Sequence, residues 1–291
     1  MILAKKSSAE GPAVKRFLII VPLFISVVLT QSLLFAQFKP EEIAQRERWE
    51  EFLKTADIIK GEPIGEGVTH PWKLYLKQGD IEKKAAWKNP DERHGDFVDS
   101  WKNEIAAYRL DKLIGLNMVP PTIEREYKGR KGALSLWADN KYSLLDVQDK
   151  NIPIPDWAQA QLNDMKYLAR LWACLIANDD LTQQNIRYTE DWRTILIDHS
   201  RSFWSSREYT EILIYGANGI KRLDDGRPVL FRRVPRWIVE RIKILDFGSI
   251  KRAVGPYLTD KEITSVVARK KLIVDEINEM IREQGESKVL Y

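Results

Sequence analysis

The sequence predicts an α+β fold in which an N-terminal export helix precedes two lobes: a small lobe of antiparallel strands with one helix, and a larger lobe that is mainly helical. Three observations predict this arrangement. Residues 56–88 form short runs of β-prone residues separated by glycines. Residues 157–176 carry apolar side chains at spacings of three and four, which is typical of a long core helix. Residues 17–35 form a hydrophobic segment that predicts an N-terminal export helix.

The first 36 residues have the features of an export segment. Four basic residues lie before residue 17, and residues 17–35 carry no charge. This stretch is close to the roughly 17–25 residues of a spanning helix, so two outcomes stay open: cleavage after Ala36 as a signal peptide, or retention as a single membrane anchor. In both cases the basic flank predicts that residues 37–291 are exported across the inner membrane, so that the protein is periplasmic, secreted or anchored.

The net charge of +4 does not predict binding to nucleic acid. Residues 1–36 contain four basic residues and one acidic residue, and without them 42 basic and 41 acidic residues remain. A domain so close to neutral lacks the excess of positive charge that nucleic-acid binding requires, so we expect no nucleic-acid partner.

The cysteine and histidine content argues against disulfides and zinc. Cys174 is the only cysteine and lies in the apolar run LWACLIAN, so we expect no intramolecular disulfide and a thiol packed in the core. The three histidines show neither HxxxH spacing nor a pairing with cysteine, so we expect no zinc site.

The small lobe is predicted to span residues 56–138, after a charged, helix-compatible spacer at residues 37–55. Its strands are the runs ADIIKGEPIG, WKLYLK and KKAAWK, followed after one helix by TIEREY and GALSLW around the turn KGRK. Asp99 or Ser100 can cap the helix, and Gly115 ends it.

The large lobe is predicted to span residues 139–291. The long helix of residues 157–176 leads into the polar loop NDDLTQQN and the short strand TILIDH. Residues 200–235 are poorly patterned, and the C-terminal region is helical again after the capping box Thr259-Asp260-Lys261-Glu262.

Glycines in the first hairpin could hold a phosphate. Gly65 and Gly67 let backbone N–H groups approach an anion, and Thr69 adds a hydroxyl group. A hairpin with two glycines is more often only a hairpin, so this turn is a weak signal by itself.

Lys88 ends the third strand, and Glu104 lies sixteen residues later in the predicted helix. Glu104 has Trp101 and Tyr108 as helical neighbours, which places it on a partly buried face. A lysine held by a helix carboxylate stays charged and aimed at nucleotide phosphates, so we predict that the two side chains pair. The alternative is two unrelated surface charges.

The strongest signal lies in residues 176–203, IANDDLTQQNIRYTEDWRTILIDHSRSF. Asp180 lies in the polar loop, Asn185 follows five residues later, and Asp198 ends the next strand. Carboxylate and amide oxygens in this order bind Mg²⁺ or Mn²⁺ and orient an acceptor hydroxyl in phosphoryl transfer. The alternative treats NDD as a helix cap and IDHS as a turn.

These segments together resemble the atypical kinases that include HipA-like kinases, phosphatidylinositol-kinase-like proteins and the secretory-pathway kinases of the four-jointed and Golgi casein kinase type. Their loop usually reads N-T-D-R-H-x-G-N, followed by a strand and I-D-H-G-R-x-F. This chain reads NDDLTQQN and IDHSRSF in the same register. The resemblance covers roughly residues 56–285 and includes GVTHP, AAWK, NEIAAYRLDKLIGL with VPPT, and GALSLW.

The resemblance implies a two-lobed protein-kinase-like fold with ATP and Mg²⁺ or Mn²⁺ in the cleft. By position Asp180 resembles the catalytic aspartate, Asn185 and Asp198 the metal ligands, and Lys88 with Glu104 the pair that binds the nucleotide. The implied function is a kinase that transfers the γ-phosphate of ATP to a hydroxyl of a protein, glycan or small molecule.

Two alternatives to an active kinase stay open. Leu181 and Thr182 stand where the family has Arg and His, and Gln184 stands where it has Gly. The loss of the basic residue beside Asp180 keeps open a catalytically silent nucleotide-binding pseudokinase or scaffold. An exported interaction module without nucleotide is the third possibility, since the chain has ten tryptophans.

The residues Asp246-Phe247-Gly248 match a common metal-binding motif of kinases, but their position in the chain does not fit that role. They follow the helical run WIVERIKIL instead of a strand and lie 61 residues after Asn185. We therefore expect no role in the site for them.

Overall fold

The computed structural model describes residues 38–65, 70–94 and 97–291. The predicted export segment, Gly67 and Thr69 lie outside the described residues. Within the described ranges, no helix is both long and apolar enough to cross a membrane.

The small lobe contains a five-stranded antiparallel sheet and the helix that packs on it. Its elements are α1 (Pro40–Ala44), α2 (Arg46–Thr55), β1 (Asp57–Pro63), β2 (Trp72–Gln78), β3 (Ile81–Lys88), β4 (Asp91–His94), β5 (Phe97–Ser100), α3 (Trp101–Ile114), β6 (Thr122–Tyr127) and β7 (Arg130–Leu136). The sheet order is β1-β2-β3-β7-β6, and every neighbouring pair is antiparallel. The five strands and the helix that the sequence predicted are therefore all present.

Side chains that alternate along the strands form the core of the small lobe. Trp87 and Ala85 point inward from β3 and meet Leu74 from β2. Phe52 from α2 enters the same core, so the segment interpreted as a spacer is helical and also packs on the sheet.

Gly132 marks the closest approach between β7 and β3. A Cβ atom at this position would lie 2.5 Å from the Lys88 carbonyl oxygen and 2.8 Å from the Trp87 ring. Real Cβ atoms do not approach that closely, so only glycine fits beside the end of β3 without moving the backbone that carries Lys88.

Helix α3 begins and ends as its sequence predicts. The Ser100 side chain accepts a hydrogen bond from the Lys102 N–H, and Gly115 has the left-handed conformation (φ 69°) that ends many helices. Between β3 and α3 the hairpin β4–β5 was not predicted, because the run DERHGDFV has no alternation of apolar and polar residues.

The large lobe is mainly helical. Its elements are β8 (Tyr142–Ser143), α4 (Leu144–Asp149), α5 (Asp156–Ile176), β9 (Ile186–Tyr188), β10 (Thr194–Leu196), α6 (Arg207–Glu211), α7 (Arg236–Lys243), α8 (Phe247–Val254), a 3₁₀ turn (Gly255–Tyr257), α9 (Asp260–Gln284) and α10 (Glu286–Val289). The small strands form a sheet in the order β10-β9-β8. The Thr259 side chain accepts from the Glu262 N–H at the start of α9, which confirms the predicted capping box.

The core of the large lobe is built around α5. Trp172, Leu168 and Leu175 are at least 99% buried in one cluster with Ile263 and Ile273 from α9. Cys174 lies in the same cluster, is free and has 1% exposure, as predicted. Burial raises the pKa of the Cys174 thiol to about 12, so it stays protonated in this core.

Asp246 caps a helix, a role that was not predicted from the sequence. Its side chain accepts from the Ser249 N–H at the start of α8, and the motif with Phe247 and Gly248 is therefore a helix start instead of a strand end.

Candidate active site

Lys88 and Glu104 form an ion pair in the cleft between the lobes. The Lys88 Nζ lies 2.9 Å from the Glu104 Oε1, and their side chains are 15% and 6% exposed. Strand β3 presents the lysine and the first turn of α3 presents the glutamate, so the structure brings the two predicted residues together.

Asp198 also forms an ion pair with Lys88. The Asp198 Oδ1 lies 2.8 Å from the Lys88 Nζ and 3.3 Å from the Ser200 hydroxyl, which donates to it. Asp198 adopts a left-handed backbone conformation (φ 63°), which is uncommon for a residue other than glycine and turns the chain sharply after β10. Lys88 therefore bridges two carboxylates that come from different lobes.

The first turn of α3 is tied to the segment after Asp198 by buried hydrogen bonds. The Glu104 Oε2 accepts from the His199 N–H at 3.0 Å. The Asn103 side-chain amide donates to the carbonyl oxygens of Ser200 (2.8 Å) and Ser202 (2.9 Å). These contacts fix Glu104 in position, because the carboxylate is held from both of its oxygens.

His199 is neutral and buried beneath this pair. Burial lowers its pKa to about 3. The Trp172 indole N–H donates to the His199 Nε2 at 3.3 Å, which places the ring hydrogen on Nδ1. That nitrogen lies 3.8 Å from the Glu104 Oε2, so a neutral donor faces the carboxylate.

The pKa values of the three charged groups reflect burial and mutual attraction. Burial lowers the pKa of Lys88, but the carboxylates of Glu104 and Asp198 outweigh burial and hold it above its ordinary value. Burial raises the pKa of Asp198, yet Lys88 reverses this effect and leaves it lowered. Burial raises the pKa of Glu104, and Lys88 offsets only part of that rise.

Asp180 and Asn185 lie in one loop that hydrogen-bonds to itself. The Asn185 side-chain amide donates to the Asp180 carbonyl oxygen at 3.1 Å, and the Asp180 N–H donates to the Asn178 side chain at 3.0 Å. The Ile197 N–H donates to the Asn185 carbonyl oxygen at 3.1 Å, which joins this loop to the residue before Asp198.

Arg201 supplies a cation beside Asp180. Its Nε donates to the Asp99 Oδ2 at 3.2 Å, and its Nη1 lies 3.9 Å from the Asp180 Oδ2. Burial raises the pKa of Asp180, and Arg201 opposes that rise. Arg201 therefore places a positive charge beside Asp180 in a loop where Leu181 and Thr182 carry none.

The sequence offered no reason to place Arg201, Asn103 or Asp99 in the site, and Asp99 was predicted only as a possible helix cap. Arg201 was visible in IDHSRSF, but nothing in the linear order placed it next to Asp180. Asn103 had one detectable signal, since an amide on the buried stripe of a helix needs partners.

A cavity of about 90 Å³ opens beside Lys88 between the lobes. Its walls include Lys88, Glu104 and Asp198, the segment from Leu136 to Ala138 after β7, and Arg187 from β9. Asp180 and Asn185 do not line this cavity. Ligand pockets usually exceed roughly 300 Å³, so this cavity is small for a ligand site.

The turn that was predicted to hold phosphate is a hairpin between β1 and β2. The Ile64 N–H donates to the Pro71 carbonyl oxygen at 2.8 Å, and a Cβ atom at Gly65 would meet open space. Gly67 and Thr69, the other two residues of this prediction, lie outside the described residues.

Two side-chain oxygens of the candidate site are of the kind that divalent cations prefer. Asp198 Oδ2 and Asn185 Oδ1 accept no hydrogen bond from any residue in the described ranges, and such hard oxygen ligands are those that Mg²⁺ and Mn²⁺ prefer. No group of three or more His, Cys, Asp or Glu side chains that could hold a metal occurs in the described part of the chain. A site here would therefore combine a carboxylate with an amide and with phosphate or water oxygens.

Comparison with known proteins supports the fold. No family model matches the sequence, and no curated protein matches it. A solved structure that matches is the Helicobacter pylori proinflammatory kinase CtkA, with a TM-score of 0.51 and 13% identity over 80% of this chain and 98% of that one. Likeness at this identity extends to the fold alone, so the chain has a kinase-like fold, as the sequence predicted.

Proposed function

We propose that this chain is an ATP- and metal-dependent kinase that transfers the γ-phosphate to a hydroxyl of an acceptor outside the cytoplasm. The observation that carries the proposal is the double ion pair of Lys88 with Glu104 and Asp198 at 2.9 and 2.8 Å. A cation that is held in this way at an interlobe cleft is suited to nucleotide phosphates. The fold of the matched kinase structure agrees with this reading.

Each residue of the site has a separate task in the proposed reaction. Lys88 holds the phosphates of ATP, and Glu104 keeps Lys88 charged and aimed at them. Asp180 orients the acceptor hydroxyl and takes up its proton, for which the opposing effects of burial and Arg201 on its pKa are suitable. Asn185 and Asp198 would hold Mg²⁺ or Mn²⁺, which neutralises the charge of the phosphates when it is bound.

Nucleotide binding requires a rearrangement at Lys88. The direct contact between Lys88 and Asp198 occupies the place where phosphate and metal must lie, and the cavity of about 90 Å³ is small. Metal and ATP together can replace that contact, because the metal ion would balance the charge of Asp198 and the phosphates would balance the charge of Lys88. We therefore expect ATP with Mg²⁺ or Mn²⁺ to bind much more tightly than ATP alone.

Transfer from γ-labelled ATP tests the assignment. Asp198→Asn should abolish metal-dependent labelling of the protein itself or of added acceptors, whereas the matched variant Asp246→Asn, in the helix cap of α8, should keep it. Equal labelling by the Asp198→Asn variant and the unaltered protein would show that the metal-binding assignment is wrong.

A silent nucleotide-binding pseudokinase is the second candidate. The closed pair of Lys88 and Asp198, the small cavity, and Leu181 and Thr182 in the loop favour it. Calorimetry separates the two candidates, because binding of ATP with Mg²⁺ and no transfer to any acceptor would identify the pseudokinase.

Export is a separate part of the proposal and needs its own test. A phosphatase reporter that folds only outside the cytoplasm, fused after Tyr291, should be active with the full chain and inactive when residues 1–36 are removed. The mass of the mature chain then separates cleavage after Ala36 from a retained anchor.

A further inference from the structure

A second cavity lies on the large lobe, away from Lys88. It is an open groove of about 800 Å³ between α4, α5 and the loop of residues 213–229. The apolar part of its lining includes Leu144, Ile154, Leu162, Met165, Leu181 and Leu223. The groove is several times the size of the cleft cavity and has the dimensions of a site for an extended ligand.

The groove carries positive charge without carboxylates. Lys166, Arg170, Lys221 and Arg222 line it, and no aspartate or glutamate does among the residues that the structure describes. Charged residues of both signs usually alternate on protein surfaces, so a groove with four cations and no anion has an unbalanced field. We name this feature the basic groove.

Three of the four cations of the basic groove donate hydrogen bonds to neutral oxygens. The Lys166 Nζ donates to the Asn163 side-chain oxygen at 2.8 Å, the Arg170 Nη1 donates to the Leu230 carbonyl oxygen at 2.6 Å, and the Arg222 Nη1 lies 3.4 Å from that of Ala217. These bonds orient the side chains but leave their charge uncompensated. Burial lowers the pKa of Lys166, and the nearby cations Arg170 and Arg232 lower it further, so the groups repel one another.

The wall formed by residues 213–229 is an ordered part of the groove. Backbone hydrogen bonds hold it, from the Ile220 N–H to Leu213, the Lys221 N–H to Ile214, and the Val229 N–H to Lys221. The opposite edge includes Leu181 and Gln183, which follow Asp180 by one and three residues. A ligand in the groove therefore reaches the loop that carries Asp180.

We infer that the basic groove binds an acidic segment of a partner protein in which carboxylates alternate with leucine-like side chains. The four cations fit the carboxylates, and the apolar lining fits the intervening side chains. Nucleic acid would leave the apolar lining unused, and a flat anionic membrane cannot enter a groove between helices. The N-terminal residues 1–36 are themselves basic, so their charge does not complement the groove.

Direct binding of an acidic peptide to the full chain tests the inference without ATP. The probe is a short fluorescein-labelled peptide of alternating glutamate and leucine, measured by anisotropy. Lys221 and Arg222 are exposed, so the double variant Lys221→Glu/Arg222→Glu should fold normally and bind roughly tenfold more weakly. The matched double variant Lys261→Glu/Lys288→Glu changes the same charge away from the groove and should bind like the unaltered protein.

Three results would overturn the inference. The first is that both double variants lose peptide binding equally. The second is that the unaltered protein binds a lysine–leucine peptide as tightly as the glutamate–leucine peptide. The third is that the protein does not bind the peptide but binds phosphatidylglycerol vesicles through Lys221 and Arg222. The assay needs no phosphoryl transfer, so a failure here is distinct from a failure of the proposed kinase activity. Thermal unfolding of each variant checks that the fold is intact.

Discussion

The interlobe cleft and the basic groove differ in whether their cations are paired with carboxylates. In the cleft, the buried Lys88 is neutralised by two carboxylates within 3 Å. In the groove, cations that are mostly exposed contact neutral oxygens and tyrosine rings. The difference reflects solvation: a buried cation must be paired inside the protein, whereas an exposed cation keeps water until a partner replaces it.

A lysine-to-methionine substitution can be made in both regions, and the one in the cleft should have the largest effect of all the variants. Lys88→Met leaves the buried Glu104 and the partly exposed Asp198 without their cation, so the free energy of unfolding at pH 7 should fall by roughly 3 kcal/mol, at the low end for buried pairs because water still reaches Asp198. Lys221→Met in the basic groove removes no ion pair with any residue that the structure describes, so it should change the free energy of unfolding little. Urea unfolding monitored by tryptophan fluorescence measures both, and equal effects would contradict the comparison.

The pH dependence of the Lys88→Met variant sharpens this result. Without Lys88, burial raises the pKa of both carboxylates above their unfolded values, so protonation favours the folded state. The stability deficit relative to the unaltered protein should therefore shrink as the pH falls toward about 4. A deficit that stays constant with pH would point to lost packing instead of unpaired charge.

A second test crowds the backbone beside Lys88. Gly132→Ala places a methyl group where the Lys88 carbonyl oxygen and the Trp87 ring already lie, and should cost about 1–3 kcal/mol of stability. Gly65→Ala points into open space and serves as the control in the same unfolding experiment. Equal stability of the two variants would show that β7 can move away from β3 at no cost.

The neutral histidine beneath the ion pair gives a smaller, pH-dependent effect. The pKa of His199 is about 3 in the folded state and about 6.5 when unfolded, so the unfolded state gains the proton first as the pH falls. Stability from this group is full above about pH 6.5 and should fall by about 2 kcal/mol between pH 7 and pH 5. His199→Gln should lack this part of the pH dependence, and an unchanged profile would exclude a buried neutral histidine.

The smallest expected effect concerns the proton on Asp180. Arg201→Gln removes the cation that opposes the rise in the Asp180 pKa, so the acidic limb of the pH–rate profile should move to higher pH. Arg207→Gln, an exposed residue that pairs with Glu211, should leave the profile unchanged. An identical profile for the two variants would mean that Arg201 has no influence on Asp180.

The sequence predicted the elements whose pattern repeats over many residues. Apolar residues recur at regular spacing in these elements because one face of each is buried. The elements are the strands of the small-lobe sheet, α3, α5 and α9. The hairpin β4–β5 and the three-residue strand β9 escaped prediction, because short polar strands are held by backbone pairing and need no apolar pattern.

The candidate site was predictable in part, for a related reason. Lys88, Glu104 and Asp198 lie at or near the ends of predicted strands and helices, so the order of these elements along the chain predicted where the residues would lie. The structure brings the three together. Arg201, Asn103 and the basic groove arise from chain segments that meet only after folding. The packing of Phe52 from α2 into the sheet core is of the same kind, since the charged sequence around it suggested only a surface helix.

The bonds from Asn103 and Glu104 to the segment 199–202 have a mechanical consequence. Helix α3 and the chain behind Asp198 form a single rigid part, so the helix cannot swing outward unless that chain travels with it. A rearrangement of the cleft would therefore have to occur in the Lys88 side chain or in the separation of the lobes. Hydrogen exchange would show this directly, because the amides of His199 and of the first α3 turn should open at the same rate.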